Sequence, residues 1–307
     1  MQRRFIFVTG PATLALCLAG PGVAAADHWP SFGPWQTATN VLPVNTGFAE
    51  GCPIETPDGL SLVFASTRSG STNDIWAADR ADLAAPWGEP RKLEAPISLD
   101  GPADFCPSPA YVRSLFFVST RSTCGGAASA GDIFLSRQSP AGGWSEPLHL
   151  ACAPEGPNTV GAEFSPSLVE TWYGTFLFYS TNGPAGDQDI FVSRLREDGT
   201  FGPGRVVETL RSPQDDMMPN VRERDQGGFE IVFNSNRPSS QCTANGSCGT
   251  QDVFASVAWF VPGPWAPPVN LGAAVNTAGA EQRATLSRDG KRLLFGRSGD
   301  IYMSERR

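Results

Sequence analysis

The stretch 50–93 reads EGCPIETPDGLSLVFASTRSGSTNDIWAADRADLAAPWGEPRKL, and the order of its elements decides the fold. Glu50 leads, Pro53 follows three positions later, and Thr56-Pro57-Asp58-Gly59 makes a tight turn in which Pro fixes φ and Gly is free to take a positive one. Beyond the turn, Leu62, Phe64 and Ser66 alternate with Val63 and Ala65, with apolar residues on both sides, as in a strand packed between two sheets. The triplet Ser66-Thr67-Arg68 and a Gly/Ser/Asn loop lead to a third strand at Asp74-Ile75-Trp76, and Trp87, Pro90 and Leu93 follow it. Such a unit is one propeller blade, which cannot bury both of its faces alone.

The unit recurs. Blade two runs through Asp104, Pro107, Phe117, Ser119, Arg121, Asp132-Ile133-Phe134, Trp144 and Leu150. Blade three runs through Glu163, Pro166, Phe178, Ser180, Asn182, Asp189-Ile190-Phe191 and Phe201, and blade four through Asp216, Pro219, Phe233, Ser235, Arg237, Asp252-Val253-Phe254, Trp265 and Leu271. A fifth has Glu281, the turn Arg288-Asp289-Gly290, Phe295 and Asp300-Ile301-Tyr302, and stops before an outer strand. The other end of the chain supplies it: Trp35, Val41, Asn45, Thr46 and Glu50 match Trp265, Leu271, Asn276, Thr277 and Glu281 in kind and spacing. Residues 36–43 are therefore predicted to pair with the last blade, a closure that removes two exposed sheet edges. The expected fold is all-β, a five-bladed β-propeller of four-stranded antiparallel blades. The leading acids lie 54, 59, 53 and 65 residues apart. These repeats are longer than the about 40–45 residues of the commonest propeller, with the excess in loops.

The 307 residues, 40% hydrophobic with 33 Gly and 27 Pro, suit one turn-rich β domain over residues 27–307. Residues 1–26 read as a signal peptide: Arg3 and Arg4, an apolar run, then Ala24-Ala25-Ala26 before Asp27. Its removal takes the net charge from −8 to −10, because two arginines and no acid depart. An acidic surface with no basic stripe disfavours a nucleic-acid partner. No later segment is long and apolar enough to span a membrane, and a periplasmic or secreted monomer is expected. Six cysteines then remain, an even number that favours disulfides in an oxidising compartment, and two histidines are too few for an ordinary zinc or copper site.

The Asp-Gly turn, Phe-x-Ser-x-Arg, Asp-Ile-aromatic, Trp-x-x-Pro-x-x-Leu and the Asn-Thr ahead of an acid resemble the WD40-like repeats of TolB-type β-propellers of bacterial envelopes, over about residues 35–307. The resemblance implies an exported, non-catalytic binding or scaffold module that recognises an envelope protein or glycan. No Gly-x-Ser-x-Gly elbow of a fused hydrolase is present.

The rival reading rests on Glu50, Asp104, Glu163, Asp216 and Glu281, which begin the innermost strands and so ring one channel mouth. Such a ring suits calcium, held by oxygen ligands, or the division of acid and base roles in glycoside hydrolysis. Against both stands a structural role, since counting back from the turns sets Arg68 across from Glu50 and Arg121 across from Asp104. Blade three breaks this pattern, because Asn182 replaces the arginine. Glu163 is then the first catalytic candidate, with Asp104 and Asp216 beside it. The second repeated acid, Asp74 and its equivalents, is expected to accept backbone N–H groups of its own loop. Trp35, Trp87, Trp144 and Trp265 are expected between blades, while Trp29, Trp172 and Trp259 fall outside the repeat and suit exposed contacts. All six cysteines map to the end of the blades that carries the connections to the next one; Cys242 and Cys248, flanking one short loop, are expected to pair, and Cys124–Cys152 with Cys52–Cys106 would complete one of the 15 connectivities six cysteines allow.

Overall fold

The computed structural model describes residues 32–70, 72–110, 113–125, 131–182, 186–238 and 251–307. Among them there is no helix. Five four-stranded antiparallel sheets are the five expected blades. Blade one is β2 (Glu50–Glu55), β3 (Ser61–Ser66), β4 (Asp74–Asp79) and β5 (Arg91–Lys92), and blade two is β6 (Asp104–Ala110), β7 (Ser114–Ser119), β8 (Asp132–Arg137) and β9 (Leu148–His149). Blade three is β10 (Phe164–Thr171), β11 (Gly174–Asn182), β12 (Gln188–Arg194) and β13 (Arg205–Val206), and blade four is β14 (Asp216–Glu223), β15 (Phe229–Ser235), β16 (Asp252–Ala258) and β17 (Val269–Asn270). Blade five takes β18 (Glu281–Leu286), β19 (Arg292–Arg297) and β20 (Asp300–Glu305) from the C-terminal end and β1 (Thr39–Asn40) from the other. Thr39 pairs with Met303 and Asn40 with Tyr302, which closes the ring.

Apolar residues on both faces of the middle strands pack into five seams, one between each pair of neighbouring blades. Phe178 and Ile190 of blade three meet Phe233, Phe254 and Trp265 of blade four, and Val63 and Ile75 of blade one meet Phe117 and Phe134 of blade two. The ring is closed by Leu294 and Ile301 of blade five against Leu62, Phe64 and Trp87 of blade one. Trp35 and Trp144 rest against these clusters too.

Each inner strand carries the same irregularity. The register slips between Gly51 and Ile54, Phe105 and Ser108, Phe164 and Ser167, Met217 and Asn220, and Gln282 and Thr285. Inside each slip one non-glycine residue has positive φ: Cys52 (50°), Cys106 (46°), Ser165 (55°), Met218 (56°) and Arg283 (50°). In four of these bulges the next residue is proline, which has no N–H to leave unpaired. Three of these side chains meet: Cys52 and Cys106 are joined, and Ser165 Oγ lies 3.6 Å from Cys106 Sγ.

Candidate functional site

The ring of acids is present and almost fully buried. In register, Glu50 faces Ser66 rather than Arg68. Arg68, two residues further on, folds back to it at 3.0 Å and also donates to the Val44 carbonyl. Arg121 meets Asp104 at 2.7 Å, Arg237 bonds Asp216, and Arg297 meets Glu281 at 2.8 Å from directly across the ladder. Each acid also holds the chain arriving from the preceding blade. Glu50 accepts from Thr46, Glu163 from Thr159 and Glu281 from Thr277, while Asp104 and Asp216 accept the N–H groups of Leu99 and Ser212. Four of the five carboxylates are thus structural rivets. Their oxygens are taken up by the arginines of their own blades and by the segments arriving from the preceding ones.

Glu163 is different. Its Oε1 accepts from Thr159 N–H (3.1 Å), Thr159 Oγ1 (2.6 Å) and Thr181 Oγ1 (2.8 Å), and no arginine among the described residues reaches it. Asn182, in the arginine's place, accepts from Gln188 instead. The Oε2 atom is buried without a hydrogen-bond partner. Burial, with a smaller contribution from the negative charge of Asp132, pushes Glu163 up to about 7, against the opposing threonine hydrogen bonds. A carboxyl group near neutrality is the state a proton donor requires.

The channel behind the ring is closed. Arg283 is wholly buried on the axis and donates to the carbonyls of Pro219 (3.0 Å), Pro166 (3.3 Å) and Pro107 (3.4 Å) from three other blades. Burial lowers it to about 9. Beside it Cys52 and Cys106 form a disulfide with Cα atoms 4.8 Å apart, joining the inner strands of blades one and two. What is left at the mouth is a depression of about 230 Å³ lined by Glu50, Phe105, Met218, Arg283 and Arg297 among others. Glu163 lies in the same ring without lining it.

The repeated third-strand acids mainly bind side chains of the outer strand or the segment just after it. Asp74 meets Lys92 at 3.0 Å, Asp132 His149 at 2.6 Å, Asp189 Arg211 at 3.1 Å, Asp252 Asn270 at 2.8 Å and Asp300 Asn40 at 2.9 Å. Asp132 also accepts the Cys124 N–H of its own loop, as expected from the sequence. Cys124 and Cys152 are joined, so the cluster they form with Asp132 and His149 offers no thiolate to a metal. Cys242, Cys248 and Trp29 lie outside the described residues. Trp172 and Trp259 are 91% and 56% exposed.

Sequence reasoning missed two features. One is the asparagine ahead of the acid: Asn45, Asn158 and Asn276 each grip the N–H and C=O of one residue in the neighbouring third strand, namely Ile301, Ile133 and Val253. The recurring Asn-Thr pair was its signal. The other is the arginine plug, whose only trace was the acid-x-x-Pro spacing.

No protein-family model matches the chain, and no curated protein matches it in sequence. Solved structures do share its fold. The α-L-arabinofuranosidase of Podospora anserina, in complex with cellotriose, is 12% identical with a TM-score of 0.61, over 91% of this chain and 98% of that one. The catalytic domain of the Coprinopsis cinerea GH62 α-L-arabinofuranosidase is 13% identical with a TM-score of 0.59, over 91% and 98%. The endo-arabinase of Bacteroides thetaiotaomicron is 14% identical with a TM-score of 0.55, over 89% and 97%. The fold is therefore that of five-bladed glycoside hydrolase propellers. This corrects the resemblance to TolB-type and WD40-like proteins, and with it the expectation of a non-catalytic envelope scaffold. The reason is physical: Phe-x-Ser-x-Arg and Asp-Ile-aromatic describe how a blade is riveted to its neighbour, and that construction is not tied to one function. The two disulfides suit a secreted or extracellular chain.

Proposed function

We propose that the chain is a carbohydrate-active enzyme of glycoside hydrolase type, secreted or periplasmic, with Glu163 as its proton donor. The observation that carries this reading is the asymmetry of the ring: four acids are bonded to arginine, and the fifth, which is not, is pushed up to about 7 with a free Oε2. Glycoside cleavage needs a carboxylic acid that protonates the leaving oxygen and a second carboxylate as base or nucleophile. Asp104 and Asp216, on the flanking blades, are the candidates for the second role, and each is already oriented by its arginine. The fold likeness to arabinan- and arabinofuranoside-cleaving enzymes supports the same class of substrate.

The test is hydrolysis of arabino- and xylo-oligosaccharides by the wild type and Glu163→Gln. The wild type should be active with a limb that falls as pH rises through about 7, and the variant should lose about 10²–10⁴-fold in kcat while staying folded. Equal turnover by the variant, or no turnover of any glycan by the wild type, would sink the proposal.

A further inference from the structure

The face opposite the acid ring carries a groove of about 1060 Å³ between blades three and four. Its floor is the end of β12 and the turn after it, from Val192 to Pro203, and Phe176 and Pro262 form its walls. At its edge the β10–β11 hairpin and the loop after β16 build one aromatic surface. Trp172 meets Tyr173 edge-on with ring centroids 5.2 Å apart, and Tyr173 touches Phe176 at 5.9 Å and Phe260 at 6.3 Å. The Tyr173 hydroxyl accepts the Val261 N–H at 2.9 Å, and its carbonyl accepts from Arg194 at 3.0 Å, so the surface is fixed from both blades. Trp172 (91% exposed) and Phe260 (62% exposed) nevertheless turn their faces outward, which leaves large aromatic area uncovered at a built edge.

The groove is also locally basic on a chain of net charge −8. Arg194, Arg196 and Arg205 line it with two acids, Glu197 and Asp198. Asp198 is tied into its own turn by the N–H (2.9 Å) and hydroxyl (2.6 Å) of Thr200. Arg194 is committed to Tyr173 and Arg196 interacts electrostatically with Asp198, but neither the Arg196 nor the Arg205 guanidinium group forms a hydrogen bond or salt bridge among the described residues. Exposed flat aromatics at the edge of a groove lined by arginines match a ligand with rigid rings that are apolar on one face and carry carboxylates at the edge.

We propose that this groove binds an acidic oligosaccharide, with sugar rings stacked on Trp172 and Phe260 and uronate carboxylates held by Arg196 and Arg205. The choice of a sugar rests on the carbohydrate reading above; the site itself is separate from Glu163 and serves to hold a chain, not to cut it.

Calorimetric titration with a pentagalacturonate and with neutral xylopentaose, under non-hydrolysing conditions, tests it. The acidic pentamer should bind at least about tenfold tighter than the neutral one, and raising salt from about 50 to about 500 mM should erase the difference. Trp172→Ala should weaken both sugars about tenfold. Arg196→Ala/Arg205→Ala should bring the acidic pentamer to the neutral level and should melt within about 2 °C of the wild type, since these exposed side chains hold no hydrogen bond or salt bridge of the fold among the described residues. Equal affinity for the two sugars, no binding of either, or binding untouched by both variants overturns the proposal. Glu163→Gln should bind both sugars normally, so loss of turnover and loss of groove binding are read separately.

Discussion

Replacing Glu163 with Gln probes the ring without any knowledge of the substrate. The carboxyl group is pushed from an ordinary 4.5 to about 7 in the fold, chiefly by burial. The fold therefore holds this proton more tightly than the unfolded chain does. Its contribution to stability is whole below about pH 4.5, falls as pH rises, and is lost above about pH 7. The gap of about 2.5 pH units corresponds to about 3 kcal/mol. Gln keeps the acceptor that Thr159 and Thr181 use and puts an uncharged group at Oε2, so it imitates the protonated acid. At about pH 5 the two proteins should melt close together, and at about pH 8.5 the variant should melt roughly 5 °C higher, at a little under 2 °C per kcal/mol for a chain of this length. Asp189, pushed up to about 6 by burial, loses stability in the same sense but does so in both proteins, so the difference between them isolates Glu163. Melting curves that run parallel from pH 5 to pH 8.5 would refute the argument, because they would mean that Glu163 is ionised in the fold at no cost.

Two further substitutions test the arginine pattern. Asn182→Arg supplies the missing partner and should pull Glu163 down from about 7, flatten its alkaline loss of stability and cut any glycosidase turnover near pH 6 by at least about tenfold; unchanged turnover and an unchanged stability profile would mean that the arginine does not reach the acid. Arg121→Leu leaves Asp104 buried without its cation and should cost about 3–5 kcal/mol in urea unfolding, much of which Asp104→Asn in the same chain should restore; a loss below about 1 kcal/mol would class the pair with surface bridges.

The repeat was legible because it lies in features that a sequence displays directly: alternation of period two, the turns at Asp58-Gly59 and Asp289-Gly290, and an aromatic at one place in each third strand. The arginine partners were only partly legible. They stand 18, 17, 21 and 16 residues after their acids, because the intervening hairpins differ in length, so only counting back from each turn finds them. Even that count placed Arg68 opposite Glu50, where the bulge puts Ser66 instead. The bulge was hidden because its residue is Cys in blades one and two but Ser165, Met218 and Arg283 in the others, and a positive φ outside glycine leaves no composition signal. The groove was hidden for a different reason: Tyr173 and Val261, which lock its edge, are 88 residues apart on different blades.

These two kinds of site follow from how a propeller divides its work. The acid-ring face receives the inter-blade connections, and each must be pinned where it enters, so carboxylates there are used first for construction. A polar residue in every copy is evidence of that use, and departures from the copy carry the functional signal. Glu163 departs by losing its arginine. Trp172, in a hairpin between the first two strands of a blade, departs by standing outside the pattern of packed tryptophans, with its ring in solvent. Both lie in blade three, on opposite faces. That blade also lacks an outer-strand polar partner for its third-strand acid, Val206 standing where Lys92 and His149 stand in their blades, so Arg211 reaches in from beyond the strand. Three departures in one repeat mark blade three as the copy in which the demands of construction were relaxed most, and each proposal takes its leading residue from it, Glu163 in one and Trp172 in the other.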